Sequence, residues 1–200
     1  MSVSLIERAV KAGGVAKVLA ELTPQECHDL LYNWASWARP EQLPPPGDWL
    51  TWLVKAGRGF GKTRTGAEFV RERVERGIAR RIALVGRTPA DVRDTMIEGE
   101  SGMISVCPPL YRPRFESSRR RLIWPNGAFA LTFSSYEPDQ LRGPQFDTMW
   151  WDELAAFAYL RQTWDNGQLA LRLGTDPRQI VTTTPKPLTL LKELMAAPST

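Results

Sequence analysis

Residues Ala56 to Thr63 read Ala-Gly-Arg-Gly-Phe-Gly-Lys-Thr. Residue types at this spacing can hold a phosphate chain. Gly57, Gly59 and Gly61 let the backbone turn so that successive N–H groups converge on phosphate oxygens, with Arg58 and Phe60 carried between them. Lys62 has the length to reach β- and γ-phosphates, and the Thr63 hydroxyl can ligate magnesium. The pattern is that of a phosphate-binding loop, with Ala56 where glycine is usual. Its surroundings agree. An apolar strand candidate, Leu50 to Ala56, enters the loop. An amphipathic helix leaves it, with Ala67, Val70 and Val74 expected inward, Arg and Glu outward, and Gly77 as its stop. Thr63 would begin that helix, whose N-terminal dipole favours the same anion.

Such a loop needs a second strand to hold magnesium and activate water. "TMWWDE" offers one, apolar from Thr148 to Trp151 and ending in Asp152 and Glu153. Sites on open parallel sheets lie at that end of the strands. Asp152 would hold Mg2+ through its water shell, and Glu153 would polarise the attacking water. An acidic pair ending a strand is common. About ninety residues after a phosphate loop it becomes specific, and it predicts ATP hydrolysis activated by a glutamate.

The elements that must position these groups can be read from the rest of the chain. "RIALVG" (81–86) and "RQIVTTTP" (178–185) are further strand candidates, and "RRLIWPNGAFALTF" is a hairpin turning at Pro125-Asn126-Gly127. Strands alternating with helical stretches, most of them continuously apolar, predict an α/β fold with a mainly parallel sheet covered on both faces. The first forty residues read as two helices, the second opened by Thr23, Pro24 and Glu26 as a capping box. "PEQLPPPGD" is the clearest boundary, which predicts a helical segment and connector over 1–45 and a catalytic core over 46–200.

Composition narrows the classes. At 200 residues, 42% hydrophobic and 24% charged, the chain can bury a proper core. A net charge of +4 is compatible with a nucleic-acid partner without requiring one. Cys27 and Cys107 lack paired spacing, and His28 is the only histidine, which argues against zinc sites and histidine triads. The N-terminus carries charge throughout, unlike a signal peptide. The unpaired cysteines make a reducing cytoplasm the expectation, and no apolar run approaches membrane-spanning length.

Three segments in the right order carry a family resemblance: "RPEQLPPPGDWLTWLVKAGRGFGKTRTGAEFVRERV", "SSYEPDQLRGPQFDTMWWDELAAF" and "IVTTTPKP". Together they resemble the ATPase domain of the large terminase subunit of tailed bacteriophages, prophages and gene-transfer-agent clusters. The likeness runs from about Trp34 to Pro187. It implies a P-loop NTPase of the additional-strand, catalytic-glutamate type, which hydrolyses ATP with Mg2+ to move double-stranded DNA into a procapsid. It implies portal protein and small terminase subunit as partners, and a homo-oligomeric ring formed from a domain that is monomeric in isolation. It places the protein in the host cytoplasm and transiently at the procapsid portal.

The resemblance also assigns residues. Arg58 would sense phosphate. Gln42 would read adenine, as an amide can bond N6 and N7 together. Arg142 would reach a neighbouring subunit's nucleotide, with Arg87 and Arg93 as rivals. Thr183 and Thr184 would relay nucleotide state. The family's nuclease domain is expected to be absent, and with it nuclease activity. Trp49 and Trp52 stand near the loop as core residues or as a stacking platform for the base, and "SRRRL" is a charged hairpin flank or a DNA contact. A helicase-like ATPase and an inert nucleotide-binding module share the loop and the acidic pair.

Overall fold

The computed structural model describes residue 20 and residues 22–197, which fall into two units meeting between Ala38 and Arg39. The first of the two expected N-terminal helices lies outside the described residues. The second is α1 (Pro24–Tyr32). Its capping box is complete: the Thr23 hydroxyl accepts the Glu26 N–H at 3.2 Å, and the Glu26 carboxylate accepts the Thr23 N–H at 2.9 Å. The helix stops before Trp34 and Trp37, which lie in and just after a single 3-10 turn, Trp34–Ser36.

The second unit, Arg39–Thr200, contains a seven-stranded sheet. The strands are β1 (Thr51–Lys55), β2 (Arg81–Gly86), β3 (Arg114–Glu116), β4 (Arg121–Ile123), β5 (Phe129–Ser134), β6 (Thr148–Asp152) and β7 (Arg178–Thr183). Their order is β1-β7-β6-β2-β5-β4-β3. The first five run parallel, and β4 and β3 extend the sheet antiparallel. The expected hairpin is β4–β5. The edge strand β3 has no apolar run of its own and was not foreseen.

The helices are α2 (Lys62–Glu75), α3 (Pro89–Asp91), which runs on into a π-helical turn (Val92–Ile97), α4 (Met103–Val106), α5 (Leu160–Ala170) and α6 (Thr189–Ala196). The inner strands β2, β6 and β7 are buried almost end to end, as parallel strands covered on both faces must be. Alternation then divides the core in two. Ile82, Leu84, Trp150 and Ile180 face α2, while Ala83, Val85, Met149, Trp151 and Val181 face α5 and α6.

Trp150 and Trp151 set the layer spacing. A Cβ at Gly66 of α2 would come within 2.2 Å of the Trp150 indole, and one at Gly167 of α5 within 2.1 Å of the Trp151 indole. Each tryptophan thus fills a groove that only glycine leaves open, and each indole N–H is satisfied inside the sheet. Trp150 donates to the Thr182 hydroxyl at 3.3 Å and Trp151 to the Gln179 amide oxygen at 2.8 Å. Trp49 and Trp52 are also core residues, Trp49 tilted over Phe69 at a ring distance of 6.0 Å and Trp52 edge-on to it at 6.2 Å. That placement removes them as a platform for a base.

Helix α2 corrects one expectation. Ala67, Val70 and Val74 are fully buried, but so are the charged residues Glu68, Arg71 and Arg73. The helix is covered on a second side by the segment around Met103, Val106 and Cys107, so little of its surface is left for solvent. Its charges survive burial because they are paired. Glu68 bonds Arg64 and Arg71 at 2.6 Å each, yet burial still pushes its carboxyl above the usual range against both guanidinium groups. Arg73 reaches across to the Thr148 hydroxyl at 3.0 Å and to Asp176 at 2.9 Å.

The glycine grooves give a direct test. Gly66→Ala and Gly167→Ala should each lower the unfolding free energy by roughly 1–3 kcal/mol, the usual cost of overpacking. Gly143→Ala, whose added Cβ would meet nothing within 4 Å, should be neutral or slightly stabilising. Thermal or urea unfolding followed by circular dichroism measures both, and equal effects at all three positions would refute the account.

Candidate active site

The loop between β1 and α2 lies at the C-terminal end of the parallel strands. The Ala56 N–H donates to the Thr183 carbonyl at 3.1 Å, so the strand pairing with β7 continues to the loop's first residue. Gly59 and Gly61 then take positive φ, +76° and +84°, which turns the backbone into the cradle expected from the sequence. Gly61 is the N-cap of α2. The Lys62 ammonium folds back over the loop, donating to the carbonyls of Ala56 (3.1 Å) and Gly57 (3.0 Å).

Strand β6 delivers the acidic pair opposite. Glu153 Oε2 lies 3.9 Å from the Lys62 ammonium, so loop and acid share one site. Asp152 Oδ1 accepts the Thr182 hydroxyl at 2.7 Å. Burial, the dominant cause, and the neighbouring Glu153 push the Asp152 carboxyl up to about 6, against the Thr182 hydrogen bond and the Lys62 charge. Glu153 itself sits at φ +54°, a left-handed backbone that costs a residue with a Cβ about 1–2 kcal/mol. The end of β7 and the chain after it hold it there. The Thr184 N–H donates to Glu153 Oε1 at 2.9 Å, the Ala155 N–H donates to the Thr183 hydroxyl at 3.0 Å, and the Lys186 ammonium donates to the Ala155 carbonyl at 3.1 Å.

Two adjoining cavities open on these groups. One, of about 460 Å³, is lined by Arg58, Gly59, Gly61, Lys62, Thr63 and Glu153 together with Asp94, Thr95, Gly99, Glu100 and Ser101. The other, of about 300 Å³, is lined by Thr63, Asp152 and Glu153 with Arg87, Asp91 and Thr95. The wall built from residues 91–101 was not foreseen, because its polar residues follow no recognisable spacing. The donor set fits a nucleotide with magnesium: a glycine cradle, a lysine, a helix N-terminus, and a hydroxyl and a carboxylate facing one cavity. Mg2+ commonly takes only one or two protein ligands beside phosphate oxygens and water.

The remaining candidates are placed less centrally. Arg58 is exposed on the wall of the larger cavity. Arg142 ends a 3-10 turn (Pro138–Arg142), bonds Asp139 at 3.1 Å and Asn166 at 3.2 Å, and lines neither cavity. Arg87 lines the smaller cavity, while Arg93 is exposed and paired with Asp94 at 2.6 Å. In "SRRRL", Arg121 pairs with Glu116 and Arg120 with Glu137, at 2.8 and 3.8 Å. Gln42 is buried against the loop and lines neither cavity. Its Nε2 donates to the Phe60 carbonyl at 2.9 Å and the Thr65 hydroxyl at 3.4 Å, and its Oε1 accepts the Arg39 N–H at 3.1 Å.

Residues 53–199 match the family described as terminase large subunit, T4likevirus-type, N-terminal. The chain belongs to that family. No curated protein matches its sequence. Among solved structures it is similar to the large terminase ATPase domain of Thermus phage P74-26, with 18% identity and a TM-score of 0.58 over 86% of this chain and 74% of that one. It is also similar to the large terminase of a thermophilic bacteriophage in complex with ATP-gamma-S (13% identity, TM-score 0.50) and with ADP (14%, 0.51). Those alignments cover 76% and 78% of this chain but only 36% and 37% of the other chains. At such identities the likeness establishes the fold, a P-loop-type sheet with β7 inserted between the loop strand and the acidic strand. Among the described residues of this terminase domain, no helix is long and apolar enough to cross a membrane.

The buried acid yields a pH prediction. A carboxyl at about 6 in the fold and about 3.8 in the unfolded chain takes up a proton on folding. Its contribution to stability is therefore fully present below pH ~3.8 and lost as pH rises through ~6. Asp152→Asn, which keeps an acceptor for Thr182, should stabilise the protein at pH 8 by on the order of 2–3 kcal/mol. That gain should vanish near pH 4. Paired denaturant titrations at the two pH values check it, and a gain independent of pH would contradict it.

Proposed function

We propose that this domain hydrolyses ATP to drive double-stranded DNA into a procapsid, as the ATPase of a genome-packaging motor. The observation that carries the reading is the meeting of Lys62, Thr63, Asp152 and Glu153 at one end of the sheet, with Glu153 bonded directly to the Thr184 amide. The loop amides and Lys62 hold the phosphate chain, and Arg58 contacts it from the cavity wall. Thr63 and Asp152 would hold Mg2+, which neutralises charge on the phosphates when bound. Glu153 accepts a proton from the attacking water.

Thr183 and Thr184 fit the relay expected of them, because both bond the turn that carries Glu153. Any shift of the Glu153 carboxylate is felt at the end of β7, and the reverse. Arg142 fits a role toward a neighbouring copy better than in its own site, since it is exposed and lines neither cavity. The ring, the portal protein, the small terminase subunit and a location at the procapsid in the host cytoplasm belong to the same reading. They rest on family membership.

Glu153→Gln should lower phosphate release by about 100-fold or more while leaving nucleotide binding intact. Arg142→Ala should also be slow under conditions where the protein assembles. If Arg142 acts across an interface, mixing the two variants should restore part of the activity, because one mixed interface is then intact. Release by Glu153→Gln at the parent rate would sink the catalytic assignment. A mixture no better than its components would sink the shared site.

A further inference from the structure

The Gln42 amide is not placed to read a base. Its orientation is fixed by its partners: the Phe60 carbonyl can only accept, so the NH2 faces it, and the Arg39 N–H can only donate, so the oxygen faces that. Both amide hydrogens are taken, by Phe60 O and the Thr65 hydroxyl, and Thr65 in turn bonds the Gly61 carbonyl at 3.0 Å. Reading N6 and N7 of adenine would require one of those hydrogens.

The Phe60 carbonyl is the focus of the arrangement. It accepts from Gln42 and also from the Arg39 guanidinium, which lies 4.6 Å from the centre of the Phe60 ring. A trans peptide is planar, so the carbonyl of Phe60 and the N–H of Gly61 point in opposite directions. Holding the carbonyl back against Gln42 and Arg39 therefore turns the Gly61 N–H toward the other side of the loop, where Gly61 lines the larger cavity. The fit is close, since a Cβ on Gly61 would come within 2.8 Å of Gln42 Nε2.

We propose that Gln42, with Arg39, is a positioning residue for the phosphate cradle: it locks the Phe60–Gly61 peptide with its N–H toward the nucleotide phosphates and takes no part in recognising the base. The inference rests on the loop being a phosphate site, as in the proposed function. It makes affinity for the phosphate chain, whatever is attached to it, depend on a residue outside the loop.

The test compares ATP, GTP and inorganic tripolyphosphate, each with Mg2+, as competitors for a fluorescent nucleotide. Gln42→Ala should weaken all three by the same factor, about tenfold for the loss of one well-placed hydrogen bond to the loop. The ratio of ATP to GTP affinity should not change. Gln42→Glu keeps the size and the Arg39 bond but sets an acceptor against the Phe60 carbonyl, and it should be at least as weak as Gln42→Ala. In 15N-labelled protein, the Gly61 amide should lose its nucleotide-induced shift in either variant, while the Lys62 and Thr63 amides keep theirs. A general loss of structure would abolish all three shifts. Weakening confined to ATP would overturn the inference in favour of base reading, and unchanged binding of all three competitors would overturn it outright. Failure of the parent protein to bind any of them would instead refute the phosphate reading of the loop.

Discussion

The close approach of α2 to β6, at the contact between Gly66 and Trp150, is the constraint on which the site depends. The helix begins with Lys62 and Thr63, and the strand ends with Asp152, which Glu153 follows directly. Their separation is thus set a full helical turn away, by an indole lying where a side chain on residue 66 would otherwise be. Trp151 does the same on the opposite face against Gly167, so β6 is gripped from both sides. Dense packing of this kind transmits displacement and does not absorb it. The 3.9 Å between the lysine and the glutamate is a consequence of core geometry as much as of their charges.

Against that rigid frame the two carboxylates are held in unfavourable states. Asp152 is desolvated beyond what one hydroxyl and a lysine offset, and Glu153 occupies a left-handed backbone. Both are supported by β7 and the residues after it: Thr182 bonds Asp152, Thr183 bonds the Ala155 amide, and Thr184 bonds Glu153. Stored strain and raised carboxyl pKa values concentrate where groups must change partners during a reaction. Here one strand serves as counterweight to both.

Much of this was legible in the sequence, and the reasons are physical. Strands β2 and β6 announce themselves because burial on both faces favours apolar runs, β7 by its β-branched residues, and the phosphate loop because positive φ at Gly59 and Gly61 calls for glycine. Strand β3 and the cavity wall over 91–101 were not legible, being short, polar and defined by what they pack against. Helix α6, with Leu190 and Leu191 buried, is only eight residues long and follows a proline-rich stretch that hides its period. The burial of Glu68, Arg71 and Arg73 contradicts periodicity outright, because pairing lets charge enter a core and no hydropathy pattern records a partner. The bonds of Gln42 to the loop were not legible either, because they are made by the Pro40–Gln42 turn packing against Phe60 and Thr65.

Arg73 adds a mechanical consequence. It fastens the far end of α2 to β6 through Thr148 and to the start of β7 through Asp176. From that anchor to Lys62 the helix measures about 16 Å at 1.5 Å per residue. Gly66 lies between the two on the same helix, seated on Trp150, so a swing about the anchor would have to displace the indole. The guanidinium and the indole are two pins on one rod, and together they fix the direction in which α2 presents Lys62.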